Sequence, residues 1–145
     1  MKSMKTLTAA GAMVLFSTVA MAQSGLPASQ TANGVEYVSG GFGEDGAQAF
    51  KQAEASWPLS LVFAEDAGGG SRPYVAEVRV VIKDASGNVR MEVPSAGPYF
   101  LARLEPGAYT VEATYLGKTQ TQKVTVGQGE TRRHTFAWKT GEVAR

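Results

Sequence analysis

The 145-residue chain predicts an all-β fold, an antiparallel β-sandwich of about seven strands with one short N-terminal helix. Three observations predict it. Apolar and polar residues alternate along Val78–Lys83 and Tyr109–Tyr115, the period-2 pattern of a half-buried strand. Turn residues recur at short intervals, at Asp84–Asn88, Glu105–Gly107, Gly117 and Gly127–Gly129. From Gly97 to Val126 the chain reads strand, turn, strand, turn, strand with no helical period between, the local order of a small sandwich.

The first 22 residues read as a secretory signal. Lys2 and Lys5 give a positive start, Thr8–Ala20 is small and apolar, and Ala20-Met21-Ala22 is an A-x-A site with cleavage after Ala22. The apolar run falls short of the roughly 20 residues of a membrane-spanning helix. The expected location is therefore periplasmic or secreted, with no transmembrane segment after signal cleavage. Residues 23–33 are polar and contain Pro27, which predicts a flexible N-terminal tail before a single domain over 34–139.

Gly34–Ser39 alternates and opens the domain as a strand. Gly40–Gly43 breaks the pattern. Glu44–Ala55 then predicts the helix: its acids sit in the first turn, where the helix dipole favours them, Phe50 is its anchor, and Pro58 ends it. Leu59–Ala64 is an apolar strand. Glu65–Arg72 is a Gly-rich loop, and its Gly68-Gly69-Gly70 lacks the Lys-Ser/Thr of a phosphate-binding loop.

Tyr74–Lys83 is a strand with Val78, Val80 and Ile82 on one face. Asp84–Asn88 turns the chain, with Gly87 free to take a positive φ, and Val89–Val93 returns. After Pro94–Gly97, Tyr99–Leu104 is a strand. Pro106 and Gly107 predict a tight turn, and Tyr109, Val111, Ala113 and Tyr115 then form the inner face of the next strand. Gln120, Gln122, Val124 and Val126 share a face beyond Gly117, and the polar front half of this strand predicts an edge or an exposed end. Thr131–Trp138 is the last strand, with His134, Phe136 and Trp138 on one face. Residues 140–145 are expected to be a tail.

Composition excludes several chemistries. The chain holds 14 Lys+Arg and 13 Asp+Glu. Loss of Lys2 and Lys5 with the signal leaves 12 against 13, a mature net charge of −1, with no basic tract to hold nucleic acid. There is no cysteine, so disulfides and a lipid-anchoring cysteine are both excluded. With one histidine and no cysteine, the ligands of a structural zinc site are missing. Glu44-Asp45 and Glu65-Asp66 lack calcium-loop spacing and read as solvated acids. No G-x-S-x-G string accompanies His134, which reads as a packed strand residue. No catalytic residue, metal site or cofactor is assigned.

Leu104-Glu105-Pro106-Gly107-Ala108-Tyr109-Thr110-Val111 resembles the L-x-P-G-x-Y-x-V signature of carboxypeptidase regulatory-like domains. Asp84-Ala85-Ser86-Gly87 resembles the D-x-x-G turn found earlier in that superfamily. The resemblance covers about residues 75–126 and implies a transthyretin-like, prealbumin-like sandwich in a small exported bacterial protein. It carries little about function, because such domains accompany enzymes or serve as recognition modules. Hydroxyisourate hydrolases share that fold, but their C-terminal Tyr-Arg-Gly-Ser is absent here.

The expected function is thus non-catalytic: an envelope module that binds a protein or glycan partner. The alternatives are a small-ligand carrier, with a pocket between the helix and the sheet, or a small hydrolase built on His134. The candidate binding residues are the aromatics of the least regular region, Phe42, Trp57 and Tyr74. Asp84, Gly87, Pro106 and Gly107 are structural turn residues. The sequence assigns no oligomeric state.

Overall fold

The computed structural model describes residues 26–68, 75, 77–129 and 131–143. Its elements run β1 (Gln30–Ala32), β2 (Val35–Gly40), α1 (Gly43–Ala53), β3 (Leu59–Asp66), β4 (Val78–Asp84), β5 (Val89–Ser95), β6 (Tyr99–Ala102), β7 (Gly107–Tyr115), β8 (Lys118–Val126) and β9 (Arg132–Lys139). Single 3-10 turns cover Glu54–Ser56 and Thr140–Glu142. One sheet has the order β1-β2-β6-β3-β9 and the other β5-β4-β7-β8.

Period-2 patterning drives the two sheets together. Val80, Ile82, Val111 and Ala113 of the four-stranded sheet are fully buried, as are Leu59, Leu61, Phe100 and Phe136 of the five-stranded sheet. Fully burying each aliphatic or Phe side chain contributes about 1.5–3 kcal/mol. The helix forms a third layer. It packs on the outer face of the five-stranded sheet, where Phe50 meets Val38, Leu101 and Trp57 in a second apolar cluster. The Phe50 ring stacks on Tyr99 with centroids 5.6 Å apart. No helix among the described residues is long and apolar enough to cross a membrane.

Several turns follow their chemistry. Asp84 Oδ1 accepts from the N–H groups of Ser86 (2.9 Å) and Asn88 (3.0 Å), and Gly87 takes φ 86°. Leu116-Gly117 closes the β7–β8 hairpin in two residues, both with positive φ. The edge expected for the polar strand is present, since β8 ends its sheet.

Other features correct the sequence expectations. Gln30–Ala32, expected within the tail, pairs antiparallel with β2. Three polar or small residues carry no period, yet their backbone still pairs with the adjacent strand. The sandwich is not wholly antiparallel, because β3 and β9 pair in parallel over Leu59–Asp66 and Arg132–Lys139. A parallel pair needs a long connection, and five intervening strands provide it.

Pro106-Gly107 does not close a tight hairpin. It carries the chain from β6 in one sheet to β7 in the other, and Gly107 is already paired with Val126. The tyrosine of the same string braces this crossing: Tyr109 Oη donates to Glu105 O at 2.6 Å. Burial pushes that phenol's pKa up, and the neighbouring Arg90 charge opposes the shift. The expected C-terminal tail begins instead with a 3-10 turn, and Val143 packs into the core. Thr140 Oγ1 donates to the buried Glu65 at 3.0 Å, which holds the turn in place.

Candidate functional site

Pro58 stops the helical segment just before β3, which leaves Trp57 at the junction of the two. Arg103 follows the apolar run Tyr99–Ala102 of β6, so it emerges at the same end of the five-stranded sheet. The two side chains meet there. The Arg103 guanidinium lies 4.2 Å from the centroid of the Trp57 ring. Stacking of this kind contributes roughly 0.5–2 kcal/mol.

Arg103 is held on more than one side. Its Nε donates to Glu36 Oε1 at 2.7 Å and one terminal nitrogen donates to Ser56 O at 3.0 Å. Ser29 Oγ donates to the other Glu36 oxygen at 2.9 Å. The Ser29 and Arg103 hydrogen bonds hold the Glu36 carboxyl below its ordinary pKa. Thr131 Oγ1 donates to Trp57 O at 2.8 Å and ties the loop before β9 to the same junction.

A second ion pair fixes the end of the helix. Arg133 makes two bonds to Glu54, Nε to Oε1 at 2.9 Å and a terminal nitrogen to Oε2 at 2.5 Å. This fork lowers the Glu54 pKa and raises that of Arg133. The stack is therefore preorganised: Glu36, Ser56 and Thr131 position it, and the Glu54–Arg133 pair anchors the neighbouring turn.

Two hollows flank the stack and share Ser56, Trp57 and Arg103. The larger, about 510 Å³, lies between the N-terminal segment Leu26–Ser29, Val38 and Ala53. The smaller, about 240 Å³, opens toward Gly127, Gly129 and Thr131. A third hollow of about 520 Å³ lies on the four-stranded sheet beside Lys83, Glu112 and Lys123. Only the first two share an aromatic–cation pair with a fixed geometry.

Of the candidate aromatics, Phe42 and Trp57 lie apart. Trp57 is 6% exposed, so it floors the cleft rather than projecting from it. Phe42 is 49% exposed, but it caps the opposite end of α1, whose 11 residues span about 16 Å. Tyr74 lies outside the described residues. Arg103, Ser56 and Glu36 were not among the sequence candidates. The available signal was a lone arginine directly after four consecutive strand residues.

His134 Nε2 is buried and has no hydrogen-bond partner among the described residues. Burial lowers its pKa, and the Arg132 charge adds to the effect. Val38, Phe50 and Leu101, each about 1% exposed, pack between α1 and the sheet. Among the described residues no three metal-ligating side chains converge. No protein-family model matches this chain, and no curated protein matches it.

Proposed function

We propose that the protein is an exported, non-catalytic module of the bacterial envelope that binds a protein or glycan partner through the cleft around Trp57 and Arg103. The observation that carries the reading is the held stack between two hollows. Ligand sites are concave, mostly apolar and set with a few fixed polar groups, and occupy about 300–1,000 Å³. The larger hollow falls in that range and has Leu26, Val38 and Trp57 beside Ser29, Ser56 and Arg103.

Export rests on the leader Met1–Ala22, with its Ala20-Met21-Ala22 cleavage site. The transthyretin-like assignment rests on the Leu104–Val111 string. It is supported by the inward placement of Tyr109 and Val111 between two sheets. The hydrolase alternative would need a nucleophile and an orienting group at His134, whose buried Nε2 has no hydrogen-bond partner among the described residues.

The test is affinity capture from envelope extract by the mature chain, Gln23 to Arg145, with proteins and glycans both analysed. A saturable partner supports the reading. Absence of any partner for the folded protein contradicts it.

A further inference from the structure

Strands β8 and β9 follow one another in the chain but end different sheets, and a side-chain seam joins them. Gln120 Nε2 donates to Ala137 O at 2.6 Å and Gln122 Nε2 donates to Thr135 O at 2.8 Å. Both carbonyls therefore face away from β3, along the open edge of the five-stranded sheet. In an extended strand the N–H of a residue points to the same side as its carbonyl. The N–H groups of Thr135 and Ala137 thus lie on that edge, where no strand among the described residues pairs with β9.

Among the described residues the facing edge, that of β8, is open too. A two-residue turn makes Tyr115–Lys118 a hydrogen-bonded pair, so the backbone groups of Thr121 and Lys123 point away from β7. The charge of the two strands is one-sided. Lys118, Lys123, Arg132, Arg133 and Lys139 stand in them with no acidic residue. Arg133 is engaged by Glu54, while Lys118, Lys123 and Lys139 are exposed and make no ion pair with a described residue.

We propose that an extended, acidic polypeptide segment adds to β9 as a further strand of the five-stranded sheet. Backbone hydrogen bonds to Thr135 and Ala137 hold it. Gln120 and Gln122 act as neutral caps that occupy the edge carbonyls until the segment displaces them. Caps of this kind also blunt an edge against unwanted pairing in the free protein. Backbone bonds supply the attraction in strand addition and flanking side chains supply the choice, which here falls on acidic residues. This surface is separate from the Trp57 cleft and does not depend on it.

The test pans the mature chain against displayed random peptides of the length of β9, 8 residues. The expected peptides are acidic and free of proline, and a synthetic representative protects the Thr135 and Ala137 amides from hydrogen exchange. Thr135→Pro removes one edge N–H at a position where proline is tolerated, and is expected to weaken binding roughly tenfold, the worth of a backbone hydrogen bond. Thr135→Ala keeps the N–H and keeps the affinity. If Thr135→Pro fails to fold, the exposed reversals Lys118→Glu and Lys139→Glu decide, with weaker binding of the acidic peptide expected. No enrichment, enrichment without acidic residues, or full affinity in the folded Thr135→Pro or charge-reversed protein overturns the proposal.

Discussion

Phe50→Ala should detach the helix from the sandwich without dissolving the sandwich. Phe50 is 1% exposed and belongs to the cluster of Val38, Trp57 and Leu101, separate from the main core. Truncating a buried phenylalanine costs about 3–5 kcal/mol, including the lost ring contact with Tyr99. The 11 residues of α1 fall below the roughly 12–15 at which an isolated helix becomes even marginal in water. The Glu54–Arg133 pair is partly exposed and contributes about 1 kcal/mol at most. The assay is urea titration followed by tryptophan fluorescence, with amide exchange read along α1. The expected result is a loss of about 3 kcal/mol or more, exchange-labile α1 amides and protected amides in β4 and β7. A loss below about 1 kcal/mol with α1 still protected would refute the reasoning.

Four further outcomes follow from contacts elsewhere in the molecule. Gly97→Ala places a Cβ 2.4 Å from Gly40 O, so backbone must shift, and a loss of about 1–3 kcal/mol is expected in a denaturant titration. Gly87→Ala meets no atom within 4 Å and loses only the cost of a positive φ, about 1–2 kcal/mol. His134 has a folded pKa below the ordinary histidine value of 6.5, so its contribution to stability is full above that pH. It declines as pH falls from there to the lower folded pKa, because the unfolded chain takes up the proton first; His134→Gln should remove that part of the slope. Glu54 has a lowered folded pKa, so its contribution is present above the unfolded carboxylate pKa of 4.5 and is lost as pH falls through the folded value. Arg133→Ala should cost about 0.5–1 kcal/mol at neutral pH and flatten that acid limb.

The sandwich was legible where one face of a strand is buried and the other is wet. Tyr109, Val111, Ala113 and Tyr115 alternate because β7 lies in the middle of its sheet with only its inner face covered. Strand direction was not legible, since period 2 is the same for parallel and antiparallel neighbours; hence the missed β3–β9 pair. Gln120 and Gln122 hold the inward phase of β8, and their polarity correctly marked an edge. Their bonds to β9 depend on a second sheet edge that no local pattern announces. The cleft was half legible. Trp57 stood out as an aromatic in an irregular segment, but its burial under Arg103 is set by residues 46 positions apart in the chain, held together through Glu36 and Ser56. That Phe42 and Trp57 lie at opposite ends of the helical segment between them is a matter of helix length that no local pattern announces.

The most direct measurement is the affinity of the captured envelope partner for wild-type protein and for Arg103→Lys, with fold checked by circular dichroism. Lysine keeps the charge but loses the planar fork that bonds Glu36 and Ser56 and lies over Trp57. If the cleft is the binding site, the affinity should fall roughly tenfold or more, the scale of a lost charge-assisted contact. Unchanged affinity in a folded Arg103→Lys protein would contradict the account and place the partner elsewhere on the molecule.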